Sequence, residues 1–175
     1  GPSELCVLPM SQAAARSGET VAPAPVALPD TRVERLHSRI NGIDYTLYIG
    51  LPPGFRDDSD EAHPLLVLLD ADYSFPIAHG IVTHLRDRND LPDLIVVGIA
   101  YAGPPAYRPH RTRDYTPTHV ADGGYGAEIQ RHSGGGPAFA GFIERELLPH
   151  LQRRYRTRGK RVLVGHSYGG LFGAW

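Results

Sequence analysis

The 175-residue sequence has little cysteine, no long apolar run and almost no net charge. Its one cysteine, Cys6, excludes an internal disulfide and a cysteine-based metal cluster. The longest apolar stretches, 65–69 and 94–100, are far shorter than the roughly 20 residues that a membrane-spanning helix needs. Lys and Arg number 18 against 19 Asp and Glu, for a formal net charge of -1. This balance disfavours a nucleic-acid partner, which would require a basic excess.

The amino-acid composition indicates one folded domain with many turns. Hydrophobic residues make up 41%, enough for a packed core, and 20 Gly and 16 Pro disfavour a helical bundle. Residues 1–29 are rich in Pro and Ala and show no periodicity, so we predict a flexible N-terminal arm there. An Ala/Pro stretch of this kind also occurs at the mature end of exported proteins, and we expect a periplasmic or exported location.

The apolar pattern over 30–175 predicts an α/β fold with a mostly parallel sheet and flanking helices. Residues 33–40 and 44–52 alternate apolar and polar side chains, and Asn41-Gly42 between them indicates a hairpin turn. Continuous apolar runs at 63–70, 93–100 and 161–166 are typical of strands buried on both faces. An edge hairpin followed by β-α-β units is the expected layered arrangement.

Two stretches between these strands show helical spacing, and one shows no regular element. Ile77, Ile81, Val82 and Leu85 predict one helix, and the apolar residues of 139–155 predict a second, which Pro149 should interrupt. The long stretch 103–136 is predicted to be a functional loop because of its Arg and Tyr content.

The pattern Gly165-His166-Ser167-Tyr168-Gly169 fits GxSxG. It directly follows an apolar strand and directly precedes a run of small residues that can begin a helix. This strand–turn–helix context is that of a nucleophile elbow, and it predicts Ser167 as the catalytic nucleophile. The alternative is a glycine-rich turn with an incidental serine.

An oxyanion hole in such a fold combines the amide after the nucleophile with an amide from the loop after an earlier strand. The first would be the Tyr168 amide. In the loop 69–73, the Asp72 amide is our first choice and the Ala71 amide the second. The alternative role for the carboxylates of Asp70 and Asp72 is to cap the helix that starts near Pro76 or to shape the turn.

A serine nucleophile needs a base, normally a histidine oriented by an acid, and the order along such chains is Ser, acid, His. Residues 168–175 contain no His, Asp or Glu, and His166 beside the nucleophile should point away from it. We therefore expect the triad acid and His beyond residue 175, with 30–175 forming the N-terminal part of a catalytic domain.

Four spaced motifs resemble the putative-esterase branch of the α/β-hydrolases, and within it most of all the esterases of catecholate siderophore trilactones such as enterobactin and bacillibactin. The motifs are GHSYGGLF at 165–172, RTRDYTP at 111–117, SGGGPAF at 133–139 and FIERELLPHLQRRYRT at 142–157. The resemblance implies a Ser-His-acid triad, an acyl-enzyme and no cofactor. It assigns Ser167 as nucleophile and Arg111 as a contact to the anionic substrate. Arg113 departs from the residue expected in the family and is a second candidate contact. The alternative for each arginine is that it is solvated or ties the long loop down by hydrogen bonds to carbonyls. Ala71 departs from the glycine that many relatives have there.

Other functions remain open from the sequence. One is a carboxylesterase or acyltransferase acting on another acyl ester, and another is a non-catalytic siderophore-binding module. A Rossmann nucleotide-binding domain is disfavoured because no GxGxxG follows the first buried strand. A metal site is disfavoured because His110, His119 and His132 lack ligand spacing. The expected partners are therefore a small ester substrate, with a ferric catecholate as the candidate, and the rest of the same domain.

Overall fold

A computed structural model describes residue 18 and residues 20–101 and 107–175 of the chain. Cys6 and most of the predicted arm lie outside the described residues. The strands are β1 (Thr31–His37), β2 (Asp44–Gly50), β3 (His63–Leu68), β4 (Ile95–Ala100) and β5 (Thr157–Val164). The helices are α1 (Ala71–Asp87), α2 (Tyr107–Tyr115), α3 (Ala127–Gln130), α4 (Gly136–Phe142), α5 (Leu148–Tyr155) and α6 (Tyr168–Ala174), with a π-helical turn at Ile143–Leu147.

The strands form one mixed sheet in the order β1-β2-β4-β3-β5. β1 and β2 are an antiparallel hairpin with Thr31 opposite Gly50, and β2 also pairs antiparallel with β4. β3 pairs parallel with both β4 and β5. The structure therefore confirms an α/β sheet with an antiparallel hairpin at one edge. Gly42 takes φ 74° in the hairpin turn, a conformation in which glycine is favoured.

Packing covers β4 in the middle of the sheet on both faces, which explains why its apolar run is continuous. Ile95, Val97 and Ile99 pack into a core with β2 and the α4–α5 segment, whereas Val96 and Ala100 pack against α1 on the other face. Every residue of β4 is buried as a result. Because neither face of β4 meets solvent, its sequence is apolar throughout and does not alternate with polar residues.

The prediction that β5 is buried on both faces is wrong for the described part of the chain. Val162, Leu163 and Val164 are 53%, 39% and 40% exposed. β5 pairs with β3 along one edge and is the outermost strand of the described sheet. An apolar run indicates which surfaces a strand can bury, but neighbouring elements decide whether they are buried.

The first predicted helix is confirmed, but its start and its inward face differ from expectation. α1 begins at Ala71 rather than near Pro76, which lies inside the helix. Ile77 and Ile81 are 62% and 54% exposed, and the inward face contains Phe75 and His79 instead.

The second predicted helix contains the expected interruption at Pro149. The helix widens into the π-helical turn Ile143–Leu147 and resumes as α5 at Leu148. Proline has no N–H and its ring crowds the preceding turn, which disrupts regular α-helical hydrogen bonding there.

The prediction of a loop without regular structure over 103–136 is wrong in two places. α2 and α3 lie within it, while residues 102–106 are outside the described part. The inward face of α2 includes Arg111, Thr112 and Asp114, so the helix has no apolar stripe from which to recognise it. None of the helices in the described ranges is long and apolar enough to cross a membrane.

Candidate active site

Ser167 lies in the sharp turn between β5 and α6, as the GxSxG pattern predicts. Its backbone angles are φ 57° and ψ -119°, a strained combination for a residue with a side chain. Such strain has a cost of order 1–3 kcal/mol and is typical of active sites. Gly165 is required because a Cβ there would overlap the carbonyl oxygen of Gly169. The turn leaves Ser167 exposed at the carboxyl end of β5.

The carboxyl end of β3 lies directly beside that of β5. The Leu69 amide donates a hydrogen bond of 2.9 Å to the Val164 carbonyl. Asp70 follows at the N-cap position of α1, with φ 54° and ψ 36° in the left-handed region. The structure therefore brings the β3–α1 loop next to the nucleophile elbow, as an oxyanion hole requires.

The predicted loop 69–73 is shorter in the structure: only Leu69 and Asp70 separate β3 from α1, and Ala71 and Asp72 lie in the first turn of that helix. Neither the Asp70 nor the Asp72 carboxylate caps α1. Asp70 makes no side-chain hydrogen bond to the helix it precedes. The Asp72 carboxylate accepts the Tyr101 amide at 3.1 and 3.2 Å and so ties the start of α1 to the end of β4. Both side chains hold the loop in place, and this leaves the backbone amides as the predicted chemical groups.

Arg111 forms a buried ion pair with Asp70. Its Nε donates to Oδ1 at 2.9 Å and its Nη2 to Oδ2 at 3.0 Å, and the two side chains are 4% and 2% exposed. Burial alone would lower the pKa of Arg111, but the hydrogen bonds and charge of Asp70 raise it above its ordinary value. The Tyr107 hydroxyl donates to Asp70 Oδ1 at 3.0 Å. Burial and the Asp70 charge raise the pKa of Tyr107, so it stays a protonated donor.

Tyrosine rings surround the Arg111 guanidinium. Its central carbon lies 5.4 to 5.9 Å from the centroids of the rings of Tyr107, Tyr115, Tyr125 and Tyr168. These distances suit cation–π attraction, which is stronger in a desolvated site. Nη1 also donates to the Tyr125 hydroxyl at 2.8 Å.

Arg113 is held by a second buried carboxylate that the sequence did not reveal. Its Nε donates to Asp114 Oδ1 at 2.7 Å, while the hydroxyls of Tyr45 and Tyr101 donate to Oδ2 at 2.7 and 2.8 Å. Asp114 is fully buried. Arg113 Nη1 also lies 2.8 Å from His110 Nδ1, which must accept because a guanidinium only donates. The available signal was Asp114 itself, which follows Arg113 in the RTRDYTP motif.

In the described part of the chain, no histidine or carboxylate is hydrogen bonded to the Ser167 hydroxyl. His166 beside it is exposed. Those residues also contain no group of three or more His, Cys, Asp or Glu arranged to hold a metal ion. The roles predicted for Ser167, Tyr168, Asp72, Arg111 and Arg113 remain predictions, although the structure places Ser167, Tyr168 and the β3–α1 loop together.

The strand order, the parallel β3–β5 pair and the strained serine turn define an α/β-hydrolase fold. The chain belongs to the family described as Putative esterase, whose model matches residues 38–174. It is 31% identical over 153 residues to the ferri-bacillibactin esterase BesA of Bacillus subtilis (strain 168), an alignment that covers 83% of this chain and 52% of that protein.

Two solved structures show the same fold. The BES protein from Bacillus cereus is 26% identical with a TM-score of 0.72, over 88% of this chain and 58% of that one. An IroE-like serine hydrolase from Shewanella oneidensis is 37% identical with a TM-score of 0.71, over 81% of this chain and 44% of that one. The chain thus spans about half the length of these relatives.

Proposed function

We propose that the protein is a serine esterase that cleaves carboxylic esters through Ser167. The observation that supports this most directly is the strained Ser167 turn beside the β3–α1 loop, because that geometry presents a nucleophile next to backbone amides. Strain at a non-glycine residue is costly and has little purpose in a turn that does no chemistry.

The reaction begins with attack of the Ser167 hydroxyl oxygen on the ester carbonyl. The proton passes to a histidine outside the described residues, and the carbonyl oxygen becomes an oxyanion. The Tyr168 amide and the Asp72 amide, or that of Ala71, donate to the oxyanion, each contributing about 3 kcal/mol of transition-state stabilisation. The protonated histidine gives its proton to the leaving alcohol, and water then hydrolyses the acyl-enzyme by the same steps.

The proposed substrate is a catecholate siderophore trilactone. Support comes from the relatives, since the Bacillus subtilis protein is named a ferri-bacillibactin esterase. The family resemblance implies Arg111 and Arg113 as contacts to the anionic catecholates, and the substrate proposal does not depend on a direct contact by Arg111. We also propose a periplasmic or exported location, which cell fractionation would test.

A second candidate is an esterase for uncharged acyl esters. The burial of Arg111 and its pairing with Asp70 favour this alternative, because the Asp70 carboxylate already balances the positive charge of the guanidinium. Arg113 is likewise paired, with Asp114.

Intact-mass spectrometry of the complete protein with a fluorophosphonate tests the catalytic proposal. We expect one adduct, absent from Ser167→Ala. Hydrolysis of a Fe(III)-loaded tris-catecholate trilactone should then exceed that of 4-nitrophenyl acetate in kcat/KM. Labelling with efficient cleavage of the aryl ester alone would favour the second candidate. Absence of both labelling and turnover would refute the esterase proposal, and tight binding of the trilactone in that case would indicate a binding module.

A further inference from the structure

The buried Arg111–Asp70 pair contacts both segments that supply the predicted oxyanion donors. Asp70 precedes α1, whose first residues provide one donor. Its carboxylate also lies against the start of α6, because a Cβ built on Gly169 would be 3.7 Å from Asp70 Oδ2. The guanidinium of Arg111 lies over the ring of Tyr168, the residue predicted to provide the other donor.

The backbone of Asp70 is held by hydrogen bonds with both α2 and α1. Its amide donates to the Tyr115 hydroxyl at 2.9 Å, and its carbonyl accepts the Ser74 hydroxyl at 2.8 Å. Asp70 takes a left-handed conformation that persists in a non-glycine residue only when its surroundings hold it. The conformation of Asp70 directs the chain from β3 into α1 and so sets where the first α1 amides point.

Each nitrogen of the Arg111 guanidinium already has a hydrogen-bond partner within the protein. Nε and Nη2 bond to Asp70, and Nη1 bonds to the Tyr125 hydroxyl. With a side chain only 4% exposed, the guanidinium has little surface to offer a substrate. A bidentate fork of this kind is rigid, and lysine cannot reproduce it.

We infer that Arg111 is a positioning residue, which holds the β3–α1 loop and Tyr168 in the relative placement needed for the oxyanion hole. This inference rests on the proposed esterase function. It differs from the direct substrate contact that the resemblance implies for Arg111. Positioning affects the transition state of every ester equally, whereas a substrate contact affects binding of the catecholate alone.

The test compares kcat and KM of the complete protein for 4-nitrophenyl acetate and for the Fe(III)-loaded trilactone. We expect Arg111→Lys to lower kcat about 10- to 100-fold for both esters, part of the 10²- to 10³-fold effect of losing one oxyanion donor. KM should change less than about threefold, as expected for an interaction made only in the transition state. Arg108→Lys is the matched control, because Arg108 lies exposed on the same helix and its guanidinium lies over the exposed Tyr125 ring.

Tyr107→Phe tests the inference without breaking the ion pair, in case Arg111→Lys does not fold. It removes the hydroxyl that donates to Asp70 Oδ1, and we expect a several-fold loss of kcat on both esters. An increase in trilactone KM with unchanged aryl-ester kcat in Arg111→Lys would overturn the inference and establish a direct contact. If Arg111→Lys does not fold, unchanged kcat in Tyr107→Phe would overturn it. A parent protein that neither labels nor hydrolyses esters would instead refute the proposed function, and this inference with it.

Discussion

Removal of the two tyrosine hydroxyls that bond to Asp114 should destabilise the protein more than additively. Tyr45 and Tyr101 donate to the same oxygen, Asp114 Oδ2, at 2.7 and 2.8 Å. Burial raises the pKa of both tyrosines, and the charge of Asp114 adds to the effect, so both hydroxyls stay protonated donors. Either single change to Phe leaves this oxygen one donor, whereas the double change leaves it none.

The magnitude follows from the burial of Asp114. A hydrogen bond to a charged group contributes about 1.5–3 kcal/mol, so each single change should cost about 2 kcal/mol. Tyr45→Phe should cost more than Tyr101→Phe, because the Tyr45 hydroxyl also accepts the Asn41 side-chain amide at 2.9 Å. The double variant leaves Asp114 Oδ2 without a hydrogen-bond donor in a fully buried carboxylate. This adds a coupling energy of about 1 kcal/mol or more.

The assay is urea denaturation of the parent, the two single variants and the double variant. Tyr48→Phe is the matched control, because Tyr48 also lies on β2 and packs on Phe75, and its hydroxyl has no hydrogen bond within the described residues. Its free energy of unfolding should change by less than about 0.5 kcal/mol. Strictly additive costs for Tyr45 and Tyr101 would refute the view that they share one buried acceptor.

Three further changes test other parts of the fold and site. Gly165→Ala should abolish fluorophosphonate labelling, because its Cβ would overlap the Gly169 carbonyl and distort the elbow; normal labelling would contradict this. Gly98→Ala should lower the urea midpoint, with a cost of about 1–3 kcal/mol, because its Cβ would lie 2.5 Å from that of Ala71; an unchanged midpoint would show that α1 can shift. Burial and the charge of Arg113 lower the pKa of His110 in the folded protein below its ordinary 6.5. The unfolded chain therefore binds a proton at His110 more readily than the folded one does, and the free energy of unfolding falls as the pH drops below 6.5. His110→Gln should flatten that dependence in denaturation series, and an unaltered slope would assign it to other groups.

The elements that could be predicted from sequence are those whose signal is local. The β1–β2 hairpin follows from alternation and a turn at Gly42, and β3 and β4 follow from continuous apolar runs. The elbow at Ser167 follows from small residues placed between a strand and a helix, since the backbone conformation there depends on those few residues. Periodicity and steric size act over a few neighbouring positions, and a single sequence displays both.

The tertiary structure alone decided the positions whose partners are distant in the chain. α2 was not predicted because its inward residues are polar, and a polar side chain can be buried only when it has hydrogen-bond partners. Arg111 finds its partner in Asp70, 41 positions away. Asp114 finds one of its partners in Tyr45, 69 positions away. Because Asp70 is distant in the chain, the sequence alone presents Arg111 as a cation available to a substrate. The structure shows it buried in an ion pair. The sequence determines which groups can form hydrogen bonds and charges, and the packing of distant segments decides which of them remain free for a substrate.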